Sequence, residues 1–440
     1  MVNAFAGNMS RNYLNRLLRD VVWRLVRCSH KPCVLKCFGE PLFWLTGFRH
    51  FRSNAGKAPR RILVVKLDRL GDLVLCSDFL RNLRRSYPNS EITLAVRESL
   101  ADLACLSPDI DSVTPVPVDE GSMVHTGGGY YHRWSDQIFI WLRLCLVSGW
   151  WSRRFDVAVI PRRDTDWYGA TALAYLSGAV ERFGIFSDVT ATKHNSNRFF
   201  DTLLTNAVKD SAEGHELHSS APILRAMEGE VAPPALSLWT NLRTCRAASE
   251  ILRNVGVGDD QRLMFLCLGA GETVRRWPVE RYSEVCLWFY RRFKQRIVVI
   301  GTSEEGRLGD VLCGELGDWV IRLEGKIPID VLPAIMSHAW FYLGSDTGPM
   351  HLAAAAKRPV VMISCHPKNG SPLEDTSPAR FGPFGVECRV VQPESLLSPC
   401  QGRCCSDEPH CILAVTSGKV IAAVDDLIQE IGMASPARSS

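Results

Sequence analysis

"RILVVKLDRLGDLVLCSDFLRNL", residues 61–83, carries the reading of the fold. Its first seven residues are an apolar run rich in β-branched side chains, which predicts a short buried strand. Leu75, Phe79, Leu80 and Leu83 then recur at helical spacing. A dinucleotide-binding turn between such elements would carry several glycines. This one holds a single glycine, Gly71, and two carboxylates, Asp68 and Asp72. The absence of G-x-G-x-x-G disfavours a Rossmann dehydrogenase. Either aspartate could cap the helix that follows, or face a ligand beyond the carboxyl end of the strand.

Outward from this stretch, "SEITLAV", "VTPVPV" and "FDVAVIP" predict further strands. Their alternation with helical segments argues for a parallel sheet. "MEGEVAPPALSLW" at 227–239 reads as a linker. A second α/β unit follows, with strands in "RLMFLCLGAG", "QRIVVIGTSEEG", "AWFYLGSDTGPMHLAAAA" and "RPVVMIS", and a closing helix from Ser417 to about Ile431. The expected fold class is α/β, with two Rossmann-like halves joined by one linker and a ligand cleft between them. The expected divisions are a basic extension at 1–58, a first domain at 59–230 with an insertion at 119–151, and a second domain at 231–440.

At 440 residues the chain is long enough for two sizeable cores. Its net charge of +4 is unevenly spread: residues 1–61 hold 12 Lys/Arg against 2 Asp/Glu, so the remainder is net negative. A basic head on an acidic body suits an anionic surface and does not indicate a nucleic-acid partner. Within that head, Leu14, Leu17, Leu18, Val21, Val22, Leu25 and Val26 line one helical face, with Arg16, Arg19, Arg24 and Arg27 mostly off it. Residues 10–27 therefore read either as a membrane-surface helix or as a helix packed on the body. In the insertion, the apolar "IFIWLRLCLVSGWW" is too short to span a bilayer. It reads as a core helix or an interfacial element, with Trp150 and Trp151, followed by Arg153 and Arg154, favouring the interface. No signal peptide or transmembrane run is evident, so the cytosol is the expected compartment.

Four segments offer chemistry. In "LGSDTGPMHLAAAA", 343–356, Ser345 or Asp346 could cap a helix that Pro349 begins. Gly344 and Gly348 would admit a ligand to the backbone, and the helix start would bind a diphosphate with His351 turned towards it. The plainer reading is a capped structural helix. In "LGAGETVRRWP", 268–278, Thr273, Arg275 and Arg276 suit phosphate oxygens, or form a solvated loop. In "IGTSEEGRL", 300–308, Glu304 or Glu305 could accept hydrogen bonds from a ribose, or merely complement a helix dipole. The fourth segment is "SPCQGRCCSDEPHC", which gathers Cys400, Cys404, Cys405, His410 and Cys411 from a chain with 16 cysteines. It lacks the usual C-x2-C pair, so a packed loop with reduced or locally paired thiols is the main reading and zinc the lesser. "RRDTDW" at 162–167 is the one Asp-x-Asp candidate for a metal.

In their order and spacing, "ILVVKLDRLGDLVLCSDFLRNLRRSYPNSEITLAV", "GETVRRWPVERYSEV", "GTSEEGRL" and "YLGSDTGPMHLAAAAKRPVV" resemble the family-nine glycosyltransferases, the lipopolysaccharide heptosyltransferase family. The resemblance runs from about Arg61 to Ile431. It implies a GT-B fold, two Rossmann-like domains facing across a cleft, with an acceptor domain first and a nucleotide-sugar donor domain second. It implies an inverting, metal-independent transfer with no cofactor, commonly from ADP-heptose, onto a lipopolysaccharide core or related glycolipid at the inner face of the cytoplasmic membrane. The family's catalytic aspartate falls on Asp72, with Asp68 the alternative base. Its donor-binding positions fall on Thr273, Arg275, Glu305, Asp346, Thr347, Gly348 and His351. Arg275 stands where the family has lysine, and the basic head and the 119–151 insertion are extra to its compact pattern. A sugar-nucleotide epimerase of the same architecture, or a non-catalytic sugar-nucleotide-binding relative, are the competing readings.

Overall fold

A computed structural model describes residues 58–118, 124–126, 129–131, 150–211, 213–258, 261–401, 404, 406 and 408–433, with positions 35, 36, 39, 40 and 43. The basic amphipathic segment 10–27 and most of the 119–151 insertion lie outside the described residues.

Strands are numbered in chain order. The first sheet contains β1 (Arg61–Lys66), β2 (Glu91–Arg97), β3 (Ser112–Val116), β6 (Val157–Ile160), β7 (Glu181–Ile185) and β8 (Asn206–Val208), in the order β3-β2-β1-β6-β7-β8. The remaining pair, β4 (Val124–Thr126) and β5 (Gly129–Tyr131), is a separate antiparallel hairpin. β1 runs parallel to β6, β6 to β7 and β7 to β8. Apolar, largely β-branched residues fill β1 and β6, because both faces of a parallel sheet are covered.

The second sheet contains β9 (Leu263–Cys267), β10 (Ile297–Ile300), β11 (Val320–Arg322), β12 (Ala339–Ser345), β13 (Val360–Ile363) and β14 (Cys388–Val391), in the order β11-β10-β9-β12-β13-β14. Every neighbouring pair in it is parallel. Period-two alternation sorts its side chains. Leu263, Phe265 and Cys267 enter the core built with helices Leu242–Asn254 and Gly348–Ala355. Met264, Leu266 and Leu268 enter the opposite core, with helices Val279–Phe293 and Ser417–Met433. Both sheets have the doubly wound order, in which the chain reverses direction across the sheet beside its first strand. In the second sheet that switch point lies between β9 and β12.

By contacts the chain divides into two compact units. One comprises Met1–Leu67, Asn89–Ala95 and Val116–Lys209, and the other Asp68–Pro88, Val96–Pro115 and Asp210–Ser440. The helices that follow β1, Leu70–Leu75 and Ser77–Ser86, thus belong with the second unit. The reason lies in the segment read as a linker. It runs extended along helix Ser77–Ser86, where Ala232 N–H donates to Asn82 Oδ1 at 2.9 Å, Ala235 N–H to Asp78 Oδ1 at 3.0 Å and Ser237 N–H to Ser77 Oγ at 3.0 Å. Val74 and Leu75 join the same core as Phe265 and Met350.

Two expectations need correction. Trp150 is 0% exposed and stacks edge-on against Phe155, with ring centroids 5.9 Å apart, inside the core of the first unit. Its ring is a core element rather than an interfacial one, because helix Trp150–Arg153 turns it onto the sheet just before β6. The second concerns the ligand-loop helix after β12, which neither Ser345 nor Asp346 caps. Among the described residues no helix is long and apolar enough to cross a membrane.

Candidate active site

The second unit brings three predicted segments together at the carboxyl ends of β9 and β12, where a doubly wound sheet binds its ligands. β9 feeds a loop that ends in the short 3-10 turn Thr273–Arg275. β12 feeds Asp346 and Thr347 and then helix Gly348–Ala355. Arg275 Nη1 donates to Asp346 Oδ2 at 3.0 Å, and Arg275 Nε lies 3.2 Å from Glu272 Oε2. Ser345 Oγ donates to the Arg275 carbonyl at 2.8 Å, fixing the backbone that carries the guanidinium.

Neither Ser345 nor Asp346 caps the helix, contrary to expectation. The N-cap position falls on Thr347, whose side chain makes no capping bond, and Pro349 occupies the first turn as predicted. Asp346 is turned instead to Arg275, since a buried carboxylate gains more from a guanidinium than from one backbone N–H. The Thr347 hydroxyl lies 3.3 Å from the Tyr342 phenol. The start of this eight-residue helix therefore keeps its dipole uncompensated by a capping side chain.

The turn after β1 packs on the same helix start. A Cβ placed on Gly71 would lie 2.8 Å from His351 Cδ2, and one placed on Gly348 would lie 2.8 Å from Leu70 Cβ. The two glycines let two helix starts meet at backbone distance. Asp72, the next residue after Gly71, is half-buried in the first turn of helix Leu70–Leu75. The N-cap of that helix falls on Arg69 and makes no side-chain capping bond, so neither Asp68 nor Asp72 serves as its N-cap. Arg69 carries no motif that marks it in the sequence. Its guanidinium lies over the Gly271 turn, 2.5 Å from where a Cβ would stand.

Charge in this cluster is set by burial. Desolvation pushes Asp346 up to about 6, and Arg275 opposes it only in part. Burial by itself would lower the Arg275 guanidinium, but Asp346 and Glu272 hold it above its ordinary value. Desolvation lowers His351 to about 3, with His215 and Arg275 adding to the effect. His351 is therefore neutral at pH 7, and its Nε2, 3.7 Å from Asp346 Oδ1, makes a contact rather than an ion pair. Its Nδ1 is buried without a hydrogen-bond partner among the described residues.

These two shifts predict a pH signature with opposing signs. A histidine held neutral contributes stability that is full above 6.5 and is lost as pH falls. A carboxylate raised to about 6 takes up its proton more readily when folded, so stability is gained as pH falls through 6. In the wild type the two nearly cancel between pH 7 and 5. His351→Asn should leave the Asp346 contribution alone and remove the histidine's loss, so that between pH 7 and pH 5 the variant's stability should shift in its favour by about 1–2 kcal/mol relative to the wild type. Urea unfolding at the two pH values reads this directly, and an unchanged pH profile would refute it.

Glu305 stands at the carboxyl end of β10, where it closes a capping box with Thr302: its Oε2 accepts the Thr302 N–H at 3.0 Å. The carboxylate lies against the backbone of Gly269 and Gly301, and desolvation raises it despite that hydrogen bond. Arg276 is exposed and donates to the Ala270 carbonyl at 3.1 Å. Thr273 is half-buried in the same loop. The "RRDTDW" candidate does not offer Asp166 to a metal. Its two carboxylate oxygens accept the N–H groups of Ala170 and Thr171 at 2.9 and 2.7 Å, supporting the start of helix Ala170–Leu176. Cys400, Cys404, His410 and Cys411 converge in space, while Cys405 lies outside the described residues.

Comparisons with known proteins agree with this architecture. Residues 232–410 match the profile of Glycosyltransferase family 9 (heptosyltransferase). Lipopolysaccharide heptosyltransferase 2 of Escherichia coli K12 is 21% identical over 348 residues, covering 76% of this chain and 88% of that protein. Lipopolysaccharide heptosyltransferase 3 of Escherichia coli is 18% identical over 295 residues, covering 67% of this chain and 80% of that protein. Among solved structures, a family 9 glycosyl transferase from Veillonella parvula superposes with a TM-score of 0.67 at 20% identity, over 86% of this chain and all of that one. The E. coli ADP-heptose lps heptosyltransferase II gives 0.62 at 18% identity, over 84% of this chain and 99% of that one. The fold is GT-B, and the chain is a glycosyltransferase. Over residues 232–410 its sequence is similar to family 9, the heptosyltransferases.

Proposed function

We propose that the protein transfers a heptose from ADP-heptose to a lipopolysaccharide core or related glycolipid, with inversion at the sugar carbon and without a catalytic metal. The observation that carries this reading is the packing of the Asp72 turn onto the helix start that also holds Arg275, Asp346 and His351. Inverting transfer needs one base on the acceptor hydroxyl and one sink for the departing diphosphate. Asp72 is the base. Arg275 and the dipole of helix Gly348–Ala355 stabilise the leaving nucleotide.

Asp346 acts through Arg275. A carboxylate beside a diphosphate would repel it, but one that engages Arg275 holds the guanidinium in place. Neutral His351 packs at the centre of the cluster without adding charge to it. Thr273, Thr347 and Gly348 supply hydroxyl and backbone contacts to the phosphates, and Glu305 a ribose acceptor. Residues 10–27 hold the enzyme peripherally at an anionic membrane face, where a glycolipid acceptor resides.

The test is incubation with ADP-heptose and a truncated lipopolysaccharide carried in anionic vesicles, with the product weighed by mass spectrometry. The expected product is the acceptor plus one heptose, in the anomeric configuration opposite to that of the donor. Deleting residues 1–57 should slow reaction with vesicle-borne acceptor and spare reaction with a detergent-solubilised one. A converted sugar nucleotide with no glycosylated acceptor would replace this reading with an epimerase.

A further inference from the structure

The chain between β14 and the closing helix places three thiols and an imidazole at one point. One ligand atom from each of Cys400, Cys404, His410 and Cys411 lies within 4.8 Å of all the others. His410 Nδ1 is 3.3 Å from Cys400 Sγ and 3.5 Å from Cys411 Sγ. A tetrahedral zinc, with its usual bond lengths, sets nitrogen and sulfur ligands about 3.5 Å apart and sulfur ligands about 3.8 Å apart. None of the three cysteines forms a disulfide among the described residues. Cys411 is 0% exposed and Cys400 8%, while Cys404 and His410 sit half-buried at the rim. Other buried thiols, such as Cys267 and Cys286, pack within the apolar cores. Only this group gathers four soft ligands among the described residues.

The spacing is C-x3-C followed by His-Cys. Soft thiolates with one imidazole in a four-ligand set select zinc. Four protein ligands leave no open position, so such a site is structural rather than catalytic. Its neighbours indicate what it would hold. Cys411–Ala414 forms a 3-10 turn, and the carbonyls just after Cys411 anchor the arginine segment. Val415 O accepts Trp277 Nε1–H at 2.8 Å and Arg281 Nη1–H at 2.7 Å, and Leu413 O accepts Arg281 Nη1–H at 2.7 Å. Trp277 follows Arg275 by two residues.

We propose that Cys400, Cys404, His410 and Cys411 bind one structural Zn²⁺, which fastens residues 411–415 behind the loop that carries Arg275. Only the link to donor binding rests on the proposed function; the metal assignment does not.

The experiment uses the full chain purified under reducing conditions without chelator. Elemental analysis should find one zinc per chain, and exchange for Co²⁺ should give the intense spectrum of a tetrahedral thiolate site. Cys404→Ser and His410→Gln, both at the rim, should each weaken zinc binding on the order of a hundredfold in competition with a chromophoric chelator. Cys105→Ser, an exposed thiol elsewhere, should leave zinc binding unchanged. Circular dichroism confirms that each variant is folded before its affinity is read. Three results would overturn the proposal: a folded wild-type chain with far less than one zinc or with iron in its place, a disulfide joining any two of Cys400, Cys404 and Cys411 on non-reducing peptide mapping, or stoichiometric zinc retained by the C404S/H410Q double variant. None of these readouts involves sugar transfer, so they stand apart from the test of the reaction.

Discussion

Asp72→Asn is expected to lower the rate of sugar transfer by about three orders of magnitude while leaving donor affinity within about twofold. The amide keeps the size of the side chain and removes its capacity to take a proton. Asp72 lies inside the first turn of its helix rather than at the N-cap, so the substitution does not remove a helix cap. Gly71, immediately before it, is packed against His351, which holds the turn at the start of helix Gly348–Ala355. Single-turnover rates and calorimetric binding of the nucleotide measure the two quantities separately. Turnover at the wild-type rate would eliminate Asp72 as the base and move attention to Asp68.

Arg275→Ala is expected to reduce transfer by about a hundredfold or more and to raise the donor KM, because it removes a preorganised positive group from the departing diphosphate. It also leaves Asp346 buried without its partner. Breaking a buried pair commonly costs about 3–5 kcal/mol. The cost here should fall below that, because Asp346 already sits at about 6 and can neutralise itself by taking a proton. The double variant R275A/D346N distinguishes the two effects: stability should return and transfer should not. Arg275→Lys keeps the charge but lacks the fork that spans Asp346 and Glu272, so it should recover only part of the activity. Equal recovery of transfer and stability by the double variant would make Arg275 a purely structural residue.

The parts of the fold that were legible are those whose pattern is local. β9, β10 and β13 are apolar throughout and β1 from Ile62 to Val65, and burial on both faces makes such runs readable in one dimension. β7, β11 and β14 carry no such pattern. They are three to five residues long, carry arginine or glutamate, and β11 and β14 lie at the sheet edges, where one side is not hydrogen-bonded. The ligand loops were legible as strand-turn-helix segments with glycine, threonine and arginine. Their internal partnerships were not. Asp346 reads as a helix cap beside its own helix, and only folding brings Arg275, 71 residues earlier, within reach of it. The thiol cluster was visible as letters, but its unusual spacing hid the convergence of His410 with Cys400 and Cys411.

The extended strap along helix Ser77–Ser86 bears on how this enzyme could exchange parts with its relatives. Recombination at the strap is the simplest way to join one protein's first half to another's second half. The helices of residues 70–86 travel in the gene with the first half, yet Val74 and Leu75 complete the apolar core of the second. A crossover there would hand the second half a stranger's helix to pack against, and would have to preserve the pattern of Ser77, Asp78 and Asn82 that grips the strap. The two sheets are modular in appearance, but heredity must pass them on as one matched piece.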